Sequence, residues 1–528
     1  MLASGVTVTR PISGPIRAQF ARAGHNHHSK EGAAMKQATT RSSAIRAELG
    51  YPVVDADGHL YEFTPLFLEK LGEVGGRDMP QKYGEYLKAT GSHPGWWHDM
   101  SWDERRDIRA RRPAWWAYPT ASVRDAATAA LPSLAHERLA TGELGMDFVV
   151  SYGMTSIPVM LIRDEELRRA AVRAINLTKA EQFRAEADRI TPVASIPMHT
   201  PEEAIAELEY SVRELGFKSI VIPTTVLRPI PAVHRSHPDV FPEACWLDTY
   251  GVDSAYDYDP FWARCQELKV AVSAHSGTQP LLPMYGRSIS NFSFNHIGNH
   301  AYHQGLLCKS ILMGGVTRRF PRLNFAFMEG GVGWAAIMLN EILGTWRKRS
   351  VSGLGATDPY RLDRAGYAAL MKQYGGRLTA GRPESDLAPH PTIVKPMKPE
   401  NFDEWEALGV ESEDELIQRF VGNFYFGVEA DDAINAWAFD TRVNPYGVRL
   451  KAVLGSDIGH YDVPDMSKVV EEAYELLEHG LLGEADFRDL VFANAVRLHG
   501  GMNPVFFDGT AIEREARVVL DTKEAVAT

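Results

Sequence analysis

Short apolar runs recur along the chain from residue 51 onward, with stretches of helical spacing between them. Eight such runs cover residues 51–54, 146–152, 190–196, 219–222, 270–274, 323–328, 424–428 and 452–455. Continuous apolar runs of this length are typical of strands buried on both faces, as in a parallel sheet. Eight strands that alternate with helices predict an α/β fold of the (β/α)8 TIM-barrel type. An open doubly wound sheet is the alternative.

The segment after the third run shows the helical pattern most clearly. Thr200 precedes Pro201 and Glu203, which is the pattern of a capped helix start. Apolar residues then recur at helical spacing up to Gly216, where we expect the helix to end.

Two stretches are longer than a simple strand-helix repeat requires. Residues 60–140 are rich in Trp and Arg, and residues 345–420 are rich in Pro, Gly and charge. We expect them to be insertions after strands 1 and 6 of one barrel domain that covers residues 51–528. Residues 1–50 carry almost no acidic residue before Glu48 and are expected to form a disordered N-terminal tail.

Composition narrows the class of partner. The net charge of -12 argues against nucleic acid, and no apolar stretch is long enough to span a bilayer. The three cysteines are far apart and form neither a disulfide framework nor a metal-binding pair, so a reducing, cytoplasmic setting is the default. We expect a small-molecule substrate and a homo-oligomer, most simply a dimer in which the aromatic-rich insertion covers a partner subunit.

Ionisable residues follow four of the predicted strands. They are Asp55, Asp57 and His59 after strand 1, His275 after strand 5, Glu329 after strand 6 and Asp457 after strand 8. In a barrel the carboxyl ends of the strands converge on one pocket. Buried ionisable groups need partners or a metal, so these strand ends predict a shared polar site that fits a metal ion.

Motifs at these strand ends have a counterpart in a known family. They read VVDADGH (53–59), AVSAHSG (271–277), GGVTRRFPRLNFAFMEGGVGW (314–334) and VLGSDIGHYD (453–462), and FANAVRLHG (492–500) follows near the C-terminus. Together they resemble the amidohydrolase superfamily in its amidohydrolase-2 branch. That branch includes aminocarboxymuconate-semialdehyde decarboxylase and related non-oxidative decarboxylases.

The resemblance implies one catalytic divalent metal ion, usually zinc, that binds a water molecule. Asp57 and His59 match the ligands of strand 1, His275 matches that of strand 5, and Asp457 matches an aspartate that contacts the metal and accepts a proton from its water. Asp57 departs from the usual His pair or Glu and His, which leaves Fe²⁺ or Mn²⁺ as alternatives to Zn²⁺. Asp55 is either a further ligand or a group that orients His59.

A second metal is not expected. Binuclear members of the superfamily bridge their metals with a carboxylated Lys, or with Glu, at the end of strand 4. Residues 220–224 at that point contain neither.

Two histidines in a segment that resembles a pocket-lining part of the family are candidates for proton transfer. His296 and His300 are four residues apart and are expected to share one helical face. Imidazole titrates near neutral pH, so each is a candidate general acid or base, with a structural or surface position as the alternative. His303 is expected at the surface.

Glu329 stands where the related decarboxylases commonly carry a proton-donating histidine. It is a candidate acid, base, substrate contact or ligand, and the alternative is an ion pair with Arg318 or Arg319. The candidates for substrate-binding walls are His460, Glu62, Tyr152 and Trp334, of which Trp334 fits the core equally well.

The leading functional hypothesis is a mononuclear metal-dependent hydrolase that acts on a small organic substrate through a metal-bound water. The substrate would be a carboxylated, ester, amide or carbonyl compound. A non-oxidative, metal-dependent decarboxylase of an aromatic or enoic acid is the alternative. A catalytically silent barrel that only binds a ligand is the third possibility.

Overall fold

A computed structural model describes residues 40–89, 96–114, 118–275, 286–357, 361–387 and 403–522. The strands in these residues are β1 (Val54–Gly58), β2 (Phe148–Ser151), β3 (Ile190–Pro192), β4 (Ala194–Ser195), β5 (Ile220–Pro223), β6 (Val226–Pro229), β7 (Cys245–Asp248), β8 (Val272–His275), β9 (Phe325–Phe327), β10 (Phe424–Glu429) and β11 (Lys451–Gly455).

Nine of the strands form a closed parallel sheet with eight strand positions, because β3 and β4 share one position. β1, β2 and β3 are neighbours in that order, and β4, β5, β8, β9, β10 and β11 follow in theirs. β3 and β4 are two parts of one barrel strand, which is interrupted at Val193. The N–H of Val193 donates to the carbonyl of Ser151 on β2 at 3.0 Å. The ring closes where His59 N donates to Ile458 O (2.8 Å) and Asp457 N donates to Asp57 O (3.1 Å). The predicted TIM barrel is confirmed.

Two features of the strands differ from the expectation. β1 begins at Val54 and extends to Gly58, so Asp55 and Asp57 lie within the strand instead of after it. β6 and β7 form an antiparallel hairpin outside the ring, which pairs Val226 with Asp248. These two strands are only partly buried and lack a continuous apolar run, so the pattern that revealed the ring did not reveal them.

The helices before β5 are α1 (Arg41–Glu48), α2 (Thr64–Gly75), α3 (Met79–Ala89), α4 (Trp96–Asp99), α5 (Trp102–Asp107), α6 (Val123–Ala130), α7 (Pro132–Ala140), α8 (Ser156–Met160), α9 (Glu165–Gln182) and α10 (Pro201–Arg213). Those after β5 are α11 (Pro231–Ser236), α12 (Asp259–Glu267), α13 (Phe292–His296), α14 (Asn299–Met313), α15 (Val316–Arg319), α16 (Gly333–Arg349), α17 (Val351–Thr357), α18 (Arg364–Tyr374), α19 (Glu413–Asn423), α20 (Val469–Glu478), α21 (Glu484–Arg488), α22 (Asn494–Gly500) and α23 (Glu513–Asp521). A π-helical turn, Asp489–Ala493, joins α21 to α22. Among the described segments, no helix is both long and apolar enough to cross a membrane.

The helix predicted after the third run forms as α10. The hydroxyl oxygen of Thr200 accepts a hydrogen bond from Glu203 N at 3.2 Å, and Pro201 is the first helical residue. Gly216 follows the helix in the left-handed region, with φ of 76°. Such a φ strains any residue with a Cβ, so glycine suits this turn.

The two long excursions carry helices of their own. α2 to α7 lie between β1 and β2, and α16 to α19 lie between β9 and β10. α2 packs against α9, with Phe67 and Leu71 buried in the core. The first excursion is thereby attached to the outer layer of the barrel.

The expected N-terminal tail, residues 1–50, needs a correction at its end. Residues 1–39 lie outside the described part of the chain, but Arg41–Glu48 form α1. The hydroxyl of Thr40 caps this helix, Ile45 is buried, and Arg41 pairs with Glu471 and Glu478. A cap, a buried apolar residue and two ion pairs order this segment, and its composition did not reveal them.

A buried ion pair between α9 and α10 gives a stability prediction. Arg168 donates to both carboxylate oxygens of Glu203 at 2.8 and 2.7 Å, and both side chains are buried. Arg168→Met leaves Glu203 without its cation, so we expect the free energy of unfolding to fall by about 3–5 kcal/mol. Arg169→Met removes an exposed pair with Glu165 and should cost less than about 0.5 kcal/mol. Urea unfolding of both variants measures this, and equal losses would contradict it.

Candidate metal centre and active site

β1 carries two carboxylates, Asp55 and Asp57, at the carboxyl end of the barrel, and they differ in their hydrogen bonds. Asp55 accepts hydrogen bonds from Ser456 N (2.9 Å), Ser456 Oγ (2.5 Å) and Asp57 N (3.0 Å). It therefore ties β1 to the residue after β11. Asp55 was expected either to bind metal or to orient His59, and the structure shows its oxygens bonded to Ser456 and to Asp57 N instead. A Cβ at Gly58 would lie 2.6 Å from Asp55 Oδ2, so glycine is needed beside this contact.

Asp57, His59 and His275 form a compact group of potential ligands. Their ligand atoms all lie within 4.8 Å of one another, and the three side chains are buried. His59 Nε2 lies 3.2 Å from Asp57 Oδ1, and His275 Nε2 lies 3.9 Å from the same oxygen.

The environment of Asp57 fits a cation. Neither of its carboxylate oxygens receives a hydrogen bond from any residue that the structure describes, although both are buried. A buried carboxylate without donors is unfavourable unless it is protonated or bound to a cation. One carboxylate and two imidazoles are suitable ligands for Zn²⁺, Fe²⁺ or Mn²⁺.

Asp457 and His460 lie beside this group. Asp457 follows β11 in the left-handed region (φ 51°), and its Oδ1 lies 3.6 Å from His59 Nε2. The His460 ring stacks on the His59 ring with centroids 4.1 Å apart. Burial alone would lower the pKa of His460, but Asp457 and neighbouring carboxylates raise it to about 10. The same interaction holds the pKa of Asp457 below its usual value despite burial, so Asp457 is a carboxylate.

Glu329 belongs to the same pocket. Its Oε2 lies 3.0 Å from His275 Nε2 and 3.4 Å from His300 Nδ1. Burial, together with the charge of Asp457, raises the pKa of Glu329 well above its usual value. The alternative of a pair with Arg318 or Arg319 is not realised, since Glu329 faces the two histidines and Arg319 pairs with Asp259 at 2.6 Å.

The two proton-transfer candidates do not share a helix. His296 ends α13 and His300 lies in α14, because Gly298 between them has a φ of 75°. Their rings are nevertheless in contact, with centroids 5.5 Å apart. Burial lowers the pKa of both, and strongly so for His300, so His300 is a neutral imidazole at neutral pH.

The structure places two of the residues predicted to line the substrate pocket, Tyr152 and Glu62, in different surroundings. Tyr152 is buried beside the ligands, with ring centroids 6.1 Å from His59 and 5.8 Å from His275. Glu62 was expected to contact substrate, but it accepts hydrogen bonds from Met154 N, Thr155 N and Ser156 Oγ and so anchors the loop after β2.

The predicted positions of two further aromatic residues, Trp334 and His303, also differ from the structure. Trp334 packs its ring against Phe327 and Phe426, at centroid distances of 6.0 and 5.5 Å, which is the core alternative. His303 was expected at the surface, yet it is fully buried in α14.

Glu429 was missed by the sequence analysis. It ends β10, and its carboxylate lies within 4.8 Å of those of Glu329 and Asp457. Burial and the charge of Asp457 raise its pKa to about 7. The residue directly follows the seventh apolar run, so the rule applied to the other strand ends would have found it.

The pKa of Asp57 gives a pH prediction for protein freed of divalent cations. Burial, and secondarily Asp457, raise that pKa to about 7, from about 3.9 in an unfolded chain. The protonated carboxyl therefore favours folding below pH about 4, and this contribution is lost as the pH rises through about 7. The unfolding free energy of wild type minus that of Asp57→Asn should fall over this window.

Urea unfolding in a chelator at several pH values measures that difference. Added divalent cation should reverse the trend, because a metal ligand must be deprotonated. A difference that does not vary with pH would contradict the burial of Asp57.

Part of the chain matches a known protein family. The model of the Amidohydrolase family matches residues 149–384. Among solved structures, an amidohydrolase from Mycobacterium avium subsp. paratuberculosis is 18% identical and has a TM-score of 0.46, over 86% of this chain and 100% of that one. A 5-carboxyvanillate decarboxylase from Sphingomonas paucimobilis is 15% identical with a TM-score of 0.45, over 85% and 98% of the two chains.

A third solved structure is a 5-carboxyvanillate decarboxylase from Novosphingobium aromaticivorans in complex with manganese and 4-hydroxy-3-methoxy-5-nitrobenzoic acid. It is 15% identical with a TM-score of 0.42, over 86% of this chain and 97% of that one. Residues 149–384 thus match the Amidohydrolase family, the family that the motifs at the strand ends resemble.

Proposed function

We propose that the protein is a mononuclear metal-dependent hydrolase of a small organic substrate that carries an ester, amide or other carbonyl group. The observation that supports this most is the convergence of Asp57, His59 and His275 within 4.8 Å, with Asp457 beside them. Three ligands leave coordination positions open, which is the usual arrangement of a catalytic site.

A single ion, Zn²⁺ in the first place and Fe²⁺ or Mn²⁺ otherwise, would be held by Asp57, His59 and His275. Such an ion polarises a carbonyl oxygen and lowers the pKa of water toward neutrality. The end of β5 offers Pro223 and Thr224, neither of which can bridge two ions, and this supports a mononuclear site.

Asp457 is suited to be the general base. It is ionised, and it faces His59 at 3.6 Å. A carboxylate in that position accepts a proton from the attacking water. Its neighbour His460, held protonated by Asp457, adds a positive charge that stabilises an oxyanion or a substrate carboxylate.

Glu329 and His300 are suited to be the acid. Glu329 is buried with a raised pKa and therefore holds a proton near neutral pH. His300 Nδ1 lies 3.4 Å from it and connects it to His296. Both groups are uncharged before the reaction, and Glu329 can donate its proton to the leaving group.

The same acid supports a second candidate, a non-oxidative decarboxylase of an aromatic or enoic acid. Loss of carbon dioxide leaves a carbanion that must be protonated at carbon. Glu329 holds a proton near neutral pH, and its Oε2 lies 3.0 Å from His275 Nε2. A proton donor at this distance from a proposed metal ligand supports the decarboxylase candidate.

Product analysis separates the two candidates. We expect the metal-loaded protein, given a panel of esters, amides and hydroxybenzoic acids, to yield products that together gain the elements of one water. Release of carbon dioxide from a hydroxybenzoic acid, with no hydrolysed product, would refute the hydrolase and support the decarboxylase. A protein that binds no stoichiometric divalent metal under any loading condition would refute both and leave a ligand-binding barrel.

A further inference from the structure

The side chain of Gln304 links the ends of two neighbouring barrel strands. Gln304 lies in α14 and is fully buried. Its Nε2 donates to the carbonyl of Ala274 at 2.9 Å and to the carbonyl of Met328 at 2.7 Å. The oxygen of an amide cannot donate, so these contacts also determine which end of the amide faces the strands. Both hydrogens of the amide nitrogen are therefore used to join these two carbonyls.

The two hydrogen bonds of Gln304 lie where the pairing between β8 and β9 ends. The last residue pair of the two strands is Ala274 with Phe327, and Met328 N donates to Ala274 O at 3.1 Å. β8 then ends at His275, and β9 ends at Phe327. Gln304 therefore adds a side-chain link between the strands at the carboxyl end of the barrel.

His275 and Glu329 directly follow the two residues whose carbonyls Gln304 binds. His275 belongs to the proposed ligand group, and its Nε2 lies 3.0 Å from Oε2 of Glu329. The hydrogen bonds of Gln304 thus fix the relative position of the two peptide groups that lead into these residues. A shift of either peptide group would move one side chain relative to the other.

The backbone of Glu329 adopts a conformation that requires support from its surroundings. Its φ is 55°, in the left-handed region, which is unfavourable for a residue with a Cβ. Such a conformation persists only where neighbouring contacts hold it. Gln304 binds the carbonyl directly before Glu329, and Gly330 directly after it leaves room for this contact. A Cβ at Gly330 would lie 3.2 Å from Cγ of Gln304.

The helix α14 contacts Glu329 through a second residue. His300 precedes Gln304 by four residues, so the two side chains share one face of the helix. His300 Nδ1 lies 3.4 Å from Oε2 of Glu329, whereas Gln304 binds the backbone before Glu329. One helix therefore holds both the carboxyl group and the backbone of this residue.

We propose that Gln304 is a positioning residue, which fixes the distance between the metal ligand His275 and the acid Glu329. It acts through the backbone of the residues that precede them. The inference rests on the proposed function, in which His275 binds the metal and Glu329 supplies a proton. It adds to that function the residue that holds the metal side and the acid side of the pocket at a constant separation.

The zinc affinity of the full-length protein tests this role, measured by competition with a chromophoric chelator. Gln304→Met keeps an unbranched side chain of similar size but removes both hydrogen bonds. Groups that support a metal ligand typically contribute about ten- to a hundredfold to metal affinity, so the dissociation constant of Zn²⁺ should rise by that factor. With zinc at saturation, kcat should fall by roughly a hundredfold, because a small misplacement of reacting groups has an effect of this size. KM should change less than kcat, since the contacts that bind the substrate remain.

Asn423→Leu is the matched control. Asn423 ends α19 and is buried, and its Nδ2 also donates to two backbone carbonyls, those of Pro321 at 3.0 Å and Leu323 at 2.9 Å. Both carbonyls precede β9, at the end of the strand opposite to Glu329. This variant should lower the unfolding midpoint but keep zinc affinity and kcat within about twofold of wild type, because the lost bonds lie away from the pocket.

Zinc affinity and kcat that are unchanged in Gln304→Met would overturn the proposal. Equal losses of zinc affinity in Gln304→Met and Asn423→Leu would also overturn it, because reduced stability would then be the cause. If Gln304→Met does not fold, Gln304→Glu serves instead. Its protonated form has the same shape but one hydrogen for two carbonyls, so zinc affinity should again fall, and wild-type affinity would overturn the proposal.

The two measurements separate this inference from the proposed function. Weaker zinc binding by Gln304→Met, in a protein whose wild type converts no substrate, would support the positioning role and refute the proposed function. A wild type that hydrolyses its substrate, with zinc affinity and kcat unchanged in Gln304→Met, would support the proposed function and refute the positioning role.

Discussion

Replacing His275 with alanine is expected to abolish metal binding while leaving the barrel folded. In the proposed metal centre His275 is one of three ligands, and it comes from β8, whereas the other two come from β1 and the residue after it. Loss of groups that merely support a ligand weakens metal affinity ten- to hundredfold, so loss of the ligand itself should weaken it by more than about a hundredfold. Metal content after dialysis, measured by mass spectrometry, tests this.

His499→Ala is the matched control. His499 is also a buried histidine, but it lies in α22 and stacks on Phe506 at a centroid distance of 4.6 Å. Its replacement leaves a similar cavity and should lower the unfolding midpoint without changing metal content. Full metal occupancy in His275→Ala would refute the ligand set. Equal loss of metal in both variants would show that unfolding, not ligation, is the cause.

Replacing Asp457 with asparagine is expected to lower kcat/KM by roughly 10²- to 10⁴-fold, the usual contribution of a general base. Asparagine keeps the shape of the side chain but cannot accept the proton. The pKa of His460 should fall as well, because Asp457 contributes most to raising it, ahead of Glu329 and Asp462. Steady-state kinetics on the substrate identified by product analysis, together with histidine titration by NMR, measure both effects.

Glu429→Gln is the control for that variant. Glu429 carries a carboxylate within 4.8 Å of that of Asp457, but it ends β10 and is not part of the group of Asp57, His59 and His275. Its replacement should change kcat/KM by less than tenfold if Asp457 alone takes the proton. A larger loss of kcat/KM in Glu429→Gln than in Asp457→Asn would show that Glu429, not Asp457, is the general base.

The barrel and the residues of its mouth follow from simple patterns in the sequence. Buried parallel strands need apolar residues on both faces, so each strand of the barrel can be recognised in the sequence as a short apolar run. Polar residues that follow such runs lie at the carboxyl end of the ring, so the sequence predicts that Asp57, His275 and Asp457 are close to one another. The structure brings the first two within one ligand group and the third beside it.

What could not be predicted depends on contacts between distant segments. Asp55 and Asp57 are both strand residues with side chains on the same face, and only the position of Ser456 decides that Asp55 is structural. Residues 109–112 lie in an excursion whose sequence has no period, and hydrogen bonds to Arg287 and Asn295, far along the chain, hold them in place. Glu62 was misplaced for the same reason, since its partners are backbone groups after β2.

Anomalous X-ray diffraction from crystals of the protein loaded with Zn²⁺ or Mn²⁺ tests the metal centre most directly. We expect one peak per chain, bonded to Asp57, His59 and His275 and next to Asp457. Zinc bonds of about 2.0–2.2 Å to nitrogen and oxygen are the expected distances. A peak held instead by Glu329, Glu429 and Asp457, or two peaks in one pocket, would contradict a mononuclear site on β1 and β8.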